Sequence, residues 1–181
     1  MSTYRRVLIL GGARSGKSRT ALQLAESASA ERTYIATAQA YDEEMRERIA
    51  QHRAERDGSW RTVDAPLGLV EAVRTQTAPG QAVLVDCLTL WLSNIVLAER
   101  DPAHEADRLV QAVRDAAGPL ILVSNEVGQG IVPATPLGRR FRDEQGRLNQ
   151  RIAEACDAVV FIAAGCPILL KPSPPLQLRL D

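Results

Sequence analysis

The sequence predicts a three-layer α/β fold around a mostly parallel central sheet, and three observations carry that expectation. Short apolar runs rich in β-branched residues alternate with longer stretches of helical composition. Two of the runs, Val7-Leu8-Ile9-Leu10 and Leu120-Ile121-Leu122-Val123, are continuously apolar, as strands covered on both faces must be. The chain of 181 residues, 45% hydrophobic and 24% charged, is long enough to bury one core of this kind.

In chain order, a strand is expected over 6–10, where an apolar run stops at Gly11-Gly12. A helix over 17–28 follows the glycine-rich turn, then a strand over 33–37. The stretch 42–56 is strongly helical in composition, with Asp42/Arg46 and Glu44/Arg48 four apart in the stabilising order. A helix over 67–75 leads to a strand over 82–86 that ends on an acid, and helices over 88–98 and 103–117 precede the strand over 120–124. Residues 125–136 hold Gly128, Gly130, Pro133 and Pro136 just past a strand end, where open α/β sheets place ligand loops. A helix over 138–155 and a strand over 158–163 complete the set. Residues 1–171 form one nucleotide-binding domain, and the prolines of 172–181 make a tail that is a loose terminus or a subunit contact.

Composition narrows the function. The 22 Lys plus Arg balance 22 Asp plus Glu, so no overall field favours nucleic acid or an anionic membrane. Apolar stretches such as 158–164 fall far short of the ~20 residues a membrane helix needs. Only four apolar residues follow Arg5-Arg6, too few for an export signal, and the expected location is cytoplasmic. Cys87, Cys156 and Cys166 contain no C-x-x-C pair and read as small buried hydrophobes. The two histidines, His52 and His104, cannot make a multi-histidine metal site.

The segment Gly11-Gly12-Ala13-Arg14-Ser15-Gly16-Lys17-Ser18 satisfies G-x-x-x-x-G-K-[ST] between an expected strand and an expected helix. Glycines let the backbone wrap a polyphosphate, the helix N-terminus adds partial positive charge, and Lys17 adds a full one. Ser18 is placed to ligate Mg2+. Asp86, ending an apolar strand, either holds the same ion or caps the helix that begins at Leu88. Met45, Ile49 and His52 share one helical face, so His52 reads first as a packed or half-exposed helix residue. Against that, Arg53 and Arg56 beside it suit a polyphosphate, and a neutral imidazole is able to attack an α-phosphate. His104 reads as a surface residue with no role.

These motifs, with Tyr34-Ile35-Ala36-Thr37-Ala38, Glu44-Met45, Arg48-Ile49, His52-Arg53, Trp60-Arg61-Thr62, Val85-Asp86-Cys87-Leu88-Thr89-Leu90-Trp91, Ser124-Asn125-Glu126-Val127-Gly128, Ile131-Val132-Pro133, Arg140-Phe141-Arg142-Asp143, Gly146-Arg147 and Asn149-Gln150, resemble the bifunctional adenosylcobinamide kinase/adenosylcobinamide-phosphate guanylyltransferase family. The resemblance runs in order over about 6–171. It implies a three-layer P-loop NTPase fold (RecA-like) and two activities in cobalamin biosynthesis. Adenosylcobinamide is phosphorylated with ATP or GTP, and GMP then passes from GTP through a histidine to adenosylcobinamide phosphate. The family's guanylylated histidine falls on His52. Its nucleotide contacts fall on Gly11 to Ser18, on Ala36, Thr37 and Ala38, on Arg53, Ala54, Glu55 and Arg56, on Asp64 and on Asp86. The family commonly has glutamate where this chain has Asp64, and some relatives have it at Asp86. Homologues are similar in forming cyclic trimers, which implies a homotrimer. The alternative is a simple P-loop small-molecule kinase or NTPase with a structural histidine. Seven aromatic residues are too few for a deep aromatic corrin pocket, so a shallow groove walled by Asn125, Glu126 and 128–133 is expected.

Overall fold

The computed structural model describes residues 3–40, 43–54, 56–174 and 179, with only the backbone of Glu44, Arg48, Gln51 and His52. Its strands are β1 (Arg6–Gly11), β2 (Glu31–Ala36), β3 (Trp60–Asp64), β4 (Gln81–Asp86), β5 (Leu120–Asn125), β6 (Ala158–Ala163) and β7 (Cys166–Lys171). The helices are α1 (Lys17–Ala28), α2 (Glu43–Ala54), α3 (Leu69–Gln76), α4 (Leu88–Leu97), α5 (Pro102–Arg114) and α6 (Pro136–Ala155). The expected elements begin and end within three residues of these bounds.

The seven strands form one sheet in the order β3-β2-β4-β5-β1-β6-β7. All neighbours pair in parallel except β6 and β7, which run antiparallel. Two strands were not expected, and they are the two edges of the sheet. β3 is short and mostly exposed, and β7 contains Pro167, which an edge strand tolerates because its outer N–H row needs no partner. β3 lacks the apolar run that marks a strand buried on both faces, and in β7 the run Ile168-Leu169-Leu170 is short and follows Pro167.

Alternation along each strand sorts the interior into two cores. Leu8, Ile35, Val83, Val85, Leu120 and Leu122 face α3, α4, α5 and α6, whose Leu69, Trp91, Leu109, Leu148 and Ile152 are buried against them. Ile9, Tyr34, Leu84, Ile121 and Val123 face the other way, onto Ala21 and Ala25 of α1. Full burial of each large aliphatic side chain contributes about 1.5–3 kcal/mol. The N-termini of α5 and α6 are closed by their own N-cap residues. The Asp101 carboxylate accepts from the N–H groups of Ala103 and His104, and the Thr135 hydroxyl accepts from that of Gly138. His104 is exposed, as expected for a surface residue.

Cys87 and Cys156 are buried, which pushes both thiols up to about 12, but Cys166 is exposed, contrary to the reading of all three as buried. Cys166 opens the edge strand β7, where no helix covers it.

Asp157 fastens the start of β1 to the start of β6. Its carboxylate accepts from the Arg5 and Arg6 N–H groups at 3.1 and 2.9 Å and pairs with the Arg6 guanidinium at 2.7 Å. Partial burial pushes this carboxyl up, but the hydrogen bonds from Arg6 and Arg5 outweigh it, and the pKa lies below the ordinary 3.8. A depressed carboxylate adds stability that is complete above the unfolded value and is lost as pH falls through the folded one. Asp157→Asn is therefore expected to lower the melting temperature at neutral pH, with the gap from the parent closing as the pH falls below the ordinary carboxylate value of 3.8 in paired thermal melts.

Candidate nucleotide site

The loop between β1 and α1 is built to leave donors free at its mouth. Gly16, with φ at 100°, is the N-cap of α1, and no side chain caps this end and no acid lies in its first turn. The first-turn N–H groups therefore point at an open position, the usual seat of a phosphate. Gly11, with φ at +154°, lies so close to β6 that a Cβ would sit 2.4 Å from the Ile162 carbonyl oxygen. The β6–β7 turn buttresses the loop from outside, the Gly165 N–H donating to the Ser15 carbonyl at 2.8 Å. Inside, the Ser15 hydroxyl is enclosed and has no hydrogen-bond partner among the described residues. Lys17 is 7% exposed and its ammonium donates to the Gly12 carbonyl, so the charge is folded back over the loop. Ala13 and Arg14 are exposed at the rim, and Gly12 and Ser18 are half-buried.

Alternation decides what faces this loop. Tyr34, Leu84, Ile121, Val123 and Trp60 all lie in the core on the α1 side. Counting in twos along their strands puts Ala36, Asp64, Asp86 and Asn125 on that side too, at the carboxyl ends of β2, β3, β4 and β5. Sequence-predicted site residues from four separate stretches thus meet on one surface with the phosphate loop.

A polar chain crosses this surface. The Tyr34 hydroxyl donates to the Asp86 carboxylate at 3.0 Å, and the Arg56 guanidinium lies over the Tyr34 ring, 3.6 Å from its centroid. Burial, then the Asp86 carboxylate, hold the Tyr34 phenol well above its ordinary value against the opposing charge of Arg56, so the hydroxyl remains a donor. Arg53 pairs with Asp64 at 3.4 Å. The carboxyl end of α2 is therefore tied to β2 and β3 through two arginines expected to meet the nucleotide. His52 lies in α2 by its backbone, while its side chain, like the whole of Glu55, is outside the described residues. Met45 and Ile49 on the same face are half-buried, and Ala54 is exposed. The expected Asp42/Arg46 and Glu44/Arg48 pairs also lie outside the described residues; among the described residues Arg46 pairs with Glu43 at 2.6 Å.

Two expectations are corrected here. Thr37 is fully buried, its hydroxyl donating to the Cys87 carbonyl at 2.7 Å and accepting from the Cys87 N–H at 2.9 Å. It clips the loop after β2 to the loop after β4 and has no side-chain group left for a nucleotide, whereas Ala36 and Ala38 beside it are half-exposed. Asp86 does not cap α4: the N-cap is Cys87, with no side-chain cap hydrogen bond.

Ser18 and Asp86 offer one hydroxyl and one carboxylate, both hard oxygen donors. Among the described residues no cluster of three or more His, Cys, Asp or Glu suits a metal. That donor set fits Mg2+, which binds through one or two protein oxygens together with substrate phosphates and water. Sequence reasoning assigned no role to Tyr34, Thr89, Gln145 or Asn149. The last two are polar residues four apart on the buried face of α6, a visible signal that went unused. Two cavities, one among α4, α5 and α6 beside Leu92 and Leu148 and one beside Arg5, Gly80 and Gly118, do not touch the phosphate loop.

The profile of the family described as "Cobinamide kinase / cobinamide phosphate guanyltransferase" matches residues 7–170. The chain belongs to this family. It is 51% identical over 172 residues to the bifunctional adenosylcobalamin biosynthesis protein CobP of Pseudomonas aeruginosa, covering 93% of this chain and 99% of that one. Against the bifunctional adenosylcobalamin biosynthesis protein CobU of Salmonella typhimurium it is 38% identical over 180 residues, with coverage of 91% and 99%. Among solved structures it is similar to the RadB recombinase, with a TM-score of 0.52 at 17% identity, covering 86% of this chain and 73% of that one. That likeness concerns the phosphate-loop α/β fold alone. This family member is thus an enzyme, a cobinamide kinase and cobinamide phosphate guanylyltransferase on a phosphate-loop fold. Among the described residues no helix is long and apolar enough to cross a membrane.

Proposed function

We propose that the enzyme uses one nucleotide site for two successive reactions on a corrinoid. In the first, the aminopropanol hydroxyl of adenosylcobinamide attacks the terminal phosphorus of ATP or GTP, and the nucleoside diphosphate leaves. In the second, a ring nitrogen of neutral His52 attacks the α-phosphorus of GTP, the bond to the β-phosphate oxygen breaks, and pyrophosphate departs. A phosphate oxygen of adenosylcobinamide phosphate then displaces the imidazole, giving adenosylcobinamide-GDP and returning the free histidine.

The observation that carries this reading is the attachment of α2. His52 is followed by Arg53, paired with Asp64, and by Arg56, stacked on the Tyr34 that holds Asp86. The helix bearing the nucleophile is therefore joined to the strand ends that face the phosphate loop. Lys17 and the α1 N-terminus draw negative charge off the polyphosphate, and Arg53 and Arg56 are charged partners for the α-phosphate. Ser18 and Asp86 would hold Mg2+, which neutralises charge on the phosphate oxygens when bound.

The corrinoid surface in this reading is the turn after β5. Ile131 is 98% exposed, with Val132 and Leu137 more than half exposed beside it, an apolar wall without aromatic rings at the carboxyl end of the sheet. Ile168, Leu169 and Leu170 along the edge strand β7 are the apolar surface offered to a homotrimer contact. The deciding experiment is mass spectrometry of the protein after incubation with GTP and Mg2+. One added GMP, located on His52 by fragmentation, is the expected result; an unmodified chain that still phosphorylates cobinamide would leave a plain kinase with a structural histidine.

A further inference from the structure

Behind the end of β5 lies a group of buried polar side chains that the reactions above do not use. Ser124 and Gln145 are fully buried and Asn149 nearly so. The Ser124 hydroxyl donates to Asn149 Oδ1 at 2.7 Å, and Gln145 Nε2 donates to both Ser124 Oγ and Asn149 Oδ1 at 2.9 Å. Asn149 Nδ2 in turn donates to the Asn125 carbonyl at 3.1 Å. The Asn125 N–H in turn donates to Thr89 Oγ1 at 2.8 Å. The next amide, Glu126 N–H, donates to the carbonyl of Gly11, the first residue of the phosphate loop, at 3.1 Å.

Three successive backbone groups at Asn125 and Glu126 are thus held by named partners. Apolar side chains would fill the same interior without the cost of desolvating so many polar groups, and Gln145 Oε1 still has no partner among the described residues. What the network delivers is a fixed backbone at Asn125. The Asn125 side chain itself takes part in no hydrogen bond among the described residues and is half-exposed. Its place in the sheet is specific. β5 lies between β1, which carries the phosphate loop, and β4, which carries Asp86, with Asn125 opposite Gly11 in the register and on the α1 side. Glu126, its neighbour, is spent locally, its carboxylate accepting from the Gly128 N–H at 2.6 Å. A carboxamide supplies donors without charge, which suits a phosphate oxygen lying close to the Asp86 carboxylate.

We propose that the Asn125 carboxamide donates to the terminal phosphate of the bound nucleoside triphosphate, and that Thr89, Ser124, Gln145 and Asn149 are positioning residues that hold it there. The enzyme then distinguishes triphosphate from diphosphate through a neutral contact set by the fold. The inference rests on the phosphate-loop part of the proposed function and is independent of the covalent histidine.

The test is calorimetric binding of GDP and of the α,β-methylene analogue of GTP, which His52 cannot cleave, each with Mg2+ and without corrinoid, to the full chain. The unaltered protein prefers the triphosphate analogue. Asn125→Ala weakens that analogue about tenfold, which is about 1.4 kcal/mol, and leaves GDP within about twofold. Asn125→Asp weakens it further by placing like charge against the phosphate, and it serves as the second variant if the alanine protein does not fold. Thr89→Val, which removes the hydroxyl that accepts from Asn125 N–H, moves the preference part of the way, and Thr89→Ser restores it. Equal losses for both ligands, or an unchanged preference in Asn125→Ala and Asn125→Asp, overturn the proposal. A parent protein with no preference for the triphosphate overturns it as well. Failure of the parent to bind either nucleotide would remove the phosphate-loop reading itself, a result distinct from all of these.

Discussion

GTP labelled in its α-phosphate is expected to leave no acid-labile label on His52→Ala, while the unaltered enzyme carries one GMP per chain. The imidazole is the atom source for the P–N bond, and alanine has nothing to replace it. Guanylyl transfer to adenosylcobinamide phosphate should fall to background, because the two-step path is then closed. Binding of nucleotide by the phosphate loop should persist, since the loop residues lie on β1 and α1 rather than on α2. The stereochemistry provides a separate check. Two in-line displacements, each inverting the α-phosphorus, return the original configuration, so a chiral α-thiophosphate analogue of GTP should give product with retention. Inversion, or transfer that survives in His52→Ala, would mean that the corrinoid phosphate attacks GTP directly and that His52 is a helix residue and nothing more.

Lys17→Ala is expected to damage both reactions, by about 10²–10³-fold in kcat for each, the usual cost of deleting one preorganised donor to developing charge. Lys17 sits at the start of α1 with its ammonium folded over the loop onto the Gly12 carbonyl. When a polyphosphate enters, this charge is already in place and already partly desolvated, which is why a surface lysine elsewhere would not substitute for it. The measurement is a pair of steady-state assays, cobinamide phosphorylation and guanylyl transfer, run on the same preparation. A parallel loss in both supports one shared site. A variant that loses phosphorylation but keeps guanylyl transfer would require a second nucleotide position, for which nothing has been placed on α2 or the strand ends.

What made the phosphate loop legible is that it is contiguous. The glycines, Lys17 and Ser18 follow one another between a strand and a helix, so local pattern suffices. The inner strands β1, β4 and β5 were legible for a similar reason, since burial imposes an apolar run such as Leu120-Ile121-Leu122-Val123. The edge strands β3 and β7 escaped because an edge is partly solvated and its residues need not declare themselves. Thr37 departs from the expectation for another reason: its neighbours Ala36 and Ala38 are half-exposed, but one step along the chain turns a side chain inward, and here the partner is Cys87, 50 residues away. Separations of 52 and 36 residues likewise hide the pairing of Tyr34 with Asp86 and of Asn125 with Thr89.

By itself, then, the sequence determined the chemistry at hand: a glycine-rich anion cradle, a lysine, a strand-end carboxylate and a histidine helix edged with arginines. Only the tertiary structure decided which of these meet. The strand order sets β5 between β1 and β4, and the alternation of side chains turns Asp64, Asp86 and Asn125 toward α1 while sending Ser124 into the opposite core. Residues far apart in the chain become neighbours through strand pairing, and strand pairing depends on how whole faces pack, which no local stretch of sequence encodes.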